Sequence, residues 1–137
     1  MLAGDFDDAV IVAENDSMMR GLLRTLLTRP GRSLLLCADG AEAVDLAAQT
    51  LASLVLLDLR MPRLDGIEAC RLIRALPRYE TVPIVILTVF DGESIQRKAS
   101  RAGASAFVAK PFSRDQLLRA IDPLIEGHKR LLEPARS

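Results

Sequence analysis

The sequence predicts an α/β fold, a single doubly wound domain with a five-stranded parallel sheet and five helices on its two faces. Three observations carry this prediction. The chain has 137 residues, 50% of them hydrophobic, which is enough for one core and too few for two domains of ordinary size. Its apolar runs are short and nearly continuous, as in strands buried on both sides. Amphipathic stretches separate them, and strand–helix alternation builds parallel sheets covered on both faces.

Residues 9–13 (AVIVA) form the first strand, followed by MMRGLLRTLL, in which Met19, Leu22, Leu23, Leu26 and Leu27 recur at helical spacing. Asp16 or Ser17 opens that helix, and Pro30 and Gly31 close it. The second strand is residues 34–38 (LLLCA), and the second helix carries Ala43, Val44, Ala47, Ala48 and Leu51. The third strand, residues 54–57 (LVLL), ends near Asp58. Asp65 and Gly66 then make the turn and start of a third helix with Ile67, Cys70, Ile73 and Leu76 on its apolar side.

The fourth strand is residues 83–87 (PIVIL). The helix after it, residues 92–102, has only Ile95, Ala99 and Ala102 to bury and should be solvated and loosely held. Residues 106–109 (AFVA) are the fifth strand, and the last helix starts at Ser113 with Leu117, Leu118, Ile121, Leu124 and Ile125. Pro123 lies inside it, which predicts a kink or a restart capped by Asp122. The domain is drawn at residues 1–127. Residues 128–137 read as a C-terminal tail or linker start, a candidate dimer contact, with His128 at the surface.

Lys plus Arg number 18 and Asp plus Glu 18, so bulk charge favours neither nucleic acid nor an anionic membrane. No apolar run reaches membrane-spanning length, and Asp5, Asp7 and Asp8 stand where a signal peptide carries positive charge. Cys37 and Cys70 lack zinc-site spacing and read as small buried hydrophobes of a cytoplasmic protein.

In such a sheet, ligands sit beyond the carboxyl ends of the strands. Glu14, Asn15 and Asp16 follow the first strand, Asp58 the third, Thr88 the fourth, and Lys110 with Pro111 the fifth. Two carboxylates brought together repel unless a cation joins them, and Mg²⁺, hard and oxygen-seeking, suits that role. An Asp beside a metal, a Lys and a hydroxyl is equipped to become an aspartyl-phosphate. Asp58 would attack, Lys110 and Mg²⁺ would neutralise the phosphoryl oxygens, and Thr88 would donate a hydrogen bond to the product.

VIVAEND, LVLLDLRMPRLDG, PIVILT and AGASAFVAKPF occur in the order in which their counterparts occur in the receiver domains of two-component response regulators. The chain resembles that family, including its stand-alone chemotaxis type, from Val10 to about Ile125. The resemblance implies a flavodoxin-like fold with strand order 2-1-3-4-5. It implies that Asp58 is the phospho-acceptor, that Glu14 and the Arg60 carbonyl help hold Mg²⁺, and that Lys110 contacts the phosphoryl group. It also makes Thr88 and Phe107 a switch pair that remodels the face of helix four, strand five and helix five. The implied donor is a histidine kinase or histidine phosphotransfer protein. The implied recipient is a downstream protein or an absent output domain, with a homodimer through the same face, and the chain is not a conventional enzyme.

Three departures from the family pattern stand out. Asn15 occupies the place of a second acid, leaving Glu14, Asp58 and Lys110 a net charge of −1 and predicting weaker Mg²⁺ binding. Its amide oxygen can still hold a metal-bound water. Asp16, one residue further along an extended chain, should face away and cap the first helix. Val89, where the family has a very small residue, is expected to crowd the phosphoryl entrance, while Arg60 and Phe90 are expected to shield the phosphoryl group from water and slow its hydrolysis. Two rival readings follow. One is a pseudo-receiver, an interaction module with little or no phosphorylation. The other is a phosphatase or flavin carrier of flavodoxin-like shape, disfavoured by 4% aromatics and no Gly-rich loop after strand one.

Overall fold

The computed structural model describes residues 8–90 and 92–133. Asp5, Asp7 and residues 134–137 of the expected tail lie outside the described residues. The chain order is β1 (Asp8–Ala13), α1 (Ser17–Leu27), β2 (Arg32–Cys37), α2 (Gly40–Gln49), β3 (Leu54–Asp58), α3 (Gly66–Arg74), β4 (Ile84–Thr88), α4 (Glu93–Arg101), β5 (Ala106–Ala109) and α5 (Arg114–Leu132). All four strand pairings are parallel, in the order β2-β1-β3-β4-β5. The fold, the strand order and the five-plus-five element count expected from the sequence are all present.

The pleat divides the core in two. Ile11, Ala13, Val55, Leu57, Ile84 and Ile86 pack on the side of α2, α3 and α4, and Val10, Val12, Leu54, Leu56, Val85 and Leu87 on the side of α1 and α5. Successive side chains leave opposite faces, so continuous apolar runs serve both layers at once. Polar side chains cap four of the five helices, all but α4. The side chains of Asp16, Asp39 and Asp65 accept from the amides of Met19, Glu42 and Glu68, and Ser113 with Gln116 makes a capping box. The expected role of Asp16 is therefore the one it plays.

Two expectations for the last helix are corrected. α5 runs unbroken through Pro123 to Leu132, without a restart at Asp122. Pro123 lies on the exposed side of the helix, as does Arg119, whose carbonyl a proline four residues on leaves without an amide donor. The buried side chains of Leu117, Ile121, Ile125 and His128 hold the other side of the helix. His128 is thus not a surface residue: it is 6% exposed, with Nδ1 3.3 Å from Thr81 Oγ1. It continues the apolar stripe one turn beyond Ile125. Cys37 and Cys70 are free and buried as expected, and burial pushes both thiols up to about 11.

Candidate phospho-acceptor site

The ends of three strands converge on one ion cluster. Glu14 follows β1, Asp58 ends β3, and Lys110 follows β5. Lys110 Nζ lies 2.8 Å from Glu14 Oε1 and 2.9 Å from Asp58 Oδ1. Their side chains are 13%, 1% and 11% exposed, respectively. A single amine therefore bridges two buried carboxylates that would otherwise repel. Burial is the main force raising the Asp58 pKa above the ordinary carboxylate value. Lys110 opposes that rise, and the charge on Glu14 adds to it. Burial works against the charge on Lys110, but its bonds to Glu14 and Asp58 prevail and hold its pKa above the usual lysine value.

The backbone around these groups is closely fitted. The Asp16 amide donates to Glu14 Oε2 at 3.0 Å, so both Glu14 oxygens are engaged. Asp58 Oδ2 accepts no hydrogen bond from a described residue. A Cβ on Gly66 would come 2.4 Å from the Asp58 carbonyl oxygen, so only glycine lets α3 start against the end of β3. Thr88 is buried, and its Oγ1 accepts from the Phe90 amide at 2.9 Å. The Lys110 amide donates to the Thr88 carbonyl at 2.7 Å, joining the ends of β4 and β5, and the Lys110–Pro111 peptide is cis.

The other expected residues lie around this cluster or behind it. Asn15 is exposed beside Glu14, and Val89 is 62% exposed past the end of β4. The Arg60 guanidinium lies over the Phe90 ring, 4.5 Å from its centroid, so the two expected shielding groups form one stacked unit. Phe107, opposite Ile86, is half-buried on the α4 side of the sheet.

Sequence reasoning missed two cations. Arg20 Nη1, on α1, donates to the Glu14 carbonyl at 2.7 Å and reaches the Asn15 carbonyl at 3.5 Å, fixing the loop that presents Glu14. Arg63 Nη2 reaches Asp39 Oδ2 at 2.6 Å and ties the loop after β3 to the one after β2. Neither contact follows from periodicity: Arg20 turns back to the loop just before its own helix, and Arg63 joins two loops far apart in sequence.

The family model for the response regulator receiver domain matches residues 10–122. The response regulator MprA of Mycobacterium sp. (strain KMS) is 38% identical over 116 residues, covering 85% of this chain and 50% of that protein. The chain thus spans about half the length of the curated relatives it matches. The receiver domain of the sensor histidine kinase PA1611 from Pseudomonas aeruginosa PAO1, solved with a magnesium ion coordinated in its active site cleft, superposes with a TM-score of 0.80. It is 31% identical and covers 87% of this chain and 98% of that one. The chemotaxis protein CheY4 of Vibrio cholerae, 24% identical, shares the fold with a TM-score of 0.80 over 85% of this chain and 98% of that one. The motifs, the strand order and these matches agree: the chain belongs to the response regulator receiver domain family of two-component signalling.

Proposed function

We propose that Asp58 accepts a phosphoryl group from a phosphohistidine on a histidine kinase or a histidine phosphotransfer protein. The observation that carries this reading is the Lys110 amine held within 3 Å of both Glu14 and Asp58. Lys110 occupies Asp58 Oδ1 and leaves Oδ2 to attack phosphorus. The new O–P bond forms as the P–N bond breaks, and the departing imidazole takes up a proton. Lys110 stays protonated at neutral pH and can follow the phosphoryl oxygens without giving up its charge.

The donor set fits Mg²⁺: the Glu14 and Asp58 carboxylates, the Arg60 carbonyl and, through water, the Asn15 amide offer only hard oxygen. Bound there, the ion would supply charge neutralisation at the phosphoryl oxygens. Thr88 Oγ1 would leave the Phe90 amide to meet the phosphoryl group, and Phe107 would move behind it. That movement would remodel the α4–β5–α5 face for a downstream protein, an output domain or a second copy. The Arg60–Phe90 stack would slow water attack on the product.

One observation favours a second reading, a receiver that binds partners with little phosphorylation. Asn15 supplies no charge at the position after Glu14, and Asp16 is taken up in capping α1. Incubation with a small phosphodonor and Mg²⁺ separates the two. A mass gain of one phosphoryl group, absent in Asp58→Asn, supports transfer, and no gain supports the second reading. If phosphorylation occurs, Asn15→Asp should lower the Mg²⁺ concentration needed for half-maximal labelling.

A further inference from the structure

We infer that the cleft between α3 and α4 is a docking site for an acidic segment of a partner protein, apart from the α4–β5–α5 face. The cleft measures about 680 Å³, within the range of roughly 300–1,000 Å³ typical of ligand sites. Leu59, Ile67, Phe90 and Ile95 give it an apolar lining.

Charge decides what fits there. Two acids line the cleft, and both are engaged: Asp65 caps α3, and Glu68 pairs with Arg71. Arg60, Lys98 and Arg101 also line it, and none forms an ion pair with a described residue. Arg97, on the same helix as Lys98, is by contrast paired with Glu93. Three cations without an acid partner among the described residues, beside an apolar lining, are a local excess in a chain whose formal net charge is zero. A peptide carrying alternate carboxylates and aliphatic side chains meets both features. Nucleic acid would meet the charge but not the aliphatic lining. A second copy would have to bring an acidic strip of its own.

The test uses a short fluorescent peptide alternating Glu and Leu, the same peptide with Gln for Glu, and the full chain without phosphodonor. The docking claim is thus judged independently of the phosphorylation claim. Anisotropy should show saturable binding of the Glu peptide that weakens as salt rises. Affinity should fall about tenfold in the Lys98→Gln/Arg101→Gln variant, the size expected of two partly desolvated charge pairs. Arg114→Gln/Arg119→Gln, with the same charge change on α5, should bind as the parent does, and unchanged melting of both variants confirms folding. Equal binding of the Gln peptide, or of the α4 variant, overturns the proposal. So does tighter binding of single-stranded oligonucleotide, or a concentration-dependent dimer in sedimentation that the α4 variant abolishes.

Discussion

α3 and α4 are neighbouring helices of nine residues each on the same side of the sheet, and they are held in opposite ways. α3 buries Gly66, Ile67, Ala69, Cys70 and Ile73, and the Asp65 side chain caps it. α4 buries only Ala99, and Gly92 at its start offers no side-chain cap. From the last residue of α3, the Arg74 guanidinium donates to the carbonyls of Tyr79, Val82 and Gly103 at 2.6–3.1 Å. The contrast separates tasks along one sheet edge. The firmly packed helix keeps the loop after Asp58 in place, and the lightly packed one can shift at small energetic cost.

The sharpest test of this contrast deletes one isoleucine from each helix. Ile73→Ala should cost about 3 kcal/mol, as deletion of a fully buried side chain does, and Ile95→Ala less than about 1 kcal/mol. Urea unfolding measures both, and equal losses would break the distinction. Next in size is Arg74→Met, which leaves three carbonyls without their donor and should cost about 2 kcal/mol in the same assay.

A smaller effect concerns the C-terminal part of α5, where His128 lies beside Thr81. Burial is the main cause holding its pKa below the ordinary histidine value of 6.5. The unfolded chain therefore takes up this proton first as pH falls, and stability present above about 6.5 declines below it. Melting temperature should drop between about pH 7.5 and about pH 5, and His128→Phe should flatten that slope. Smallest is Gly92→Asp, which gives α4 the cap it lacks and should add a few tenths of a kcal/mol. Slower amide exchange confined to α4 would show it.

The strands were legible because an apolar run buried on both faces needs no partner to be recognised. β2 shows the limit of that signal. It starts at Arg32 and Ser33, two residues before the apolar run, because pairing with Asp8 and Ala9 extends the strand through polar residues. Glu14, Asp58, Thr88 and Lys110 were legible for a related reason: each stands at the end of its strand, and parallel strands bring those ends together. Arg20 and Arg63 were not, since a guanidinium that bonds to a loop carbonyl or a loop carboxylate leaves no periodic trace. His128 lay in plain sight, seven residues after Ile121 on the buried stripe, but its polarity suggested the surface.

Gly103, with φ of +102°, receives two of the Arg74 bonds directly after α4 ends. α4 is thus a cantilever, clamped at its C-terminal root and lightly held at the end that faces the carboxyl ends of the strands, where Gly92 offers no side-chain cap. Nine residues span about 13 Å, so a tilt of about 10° carries the tip about 2 Å while the root stays still. If Thr88 moves as proposed, leverage of that kind would turn a displacement no larger than a hydroxyl's swing into one that a docked protein would feel.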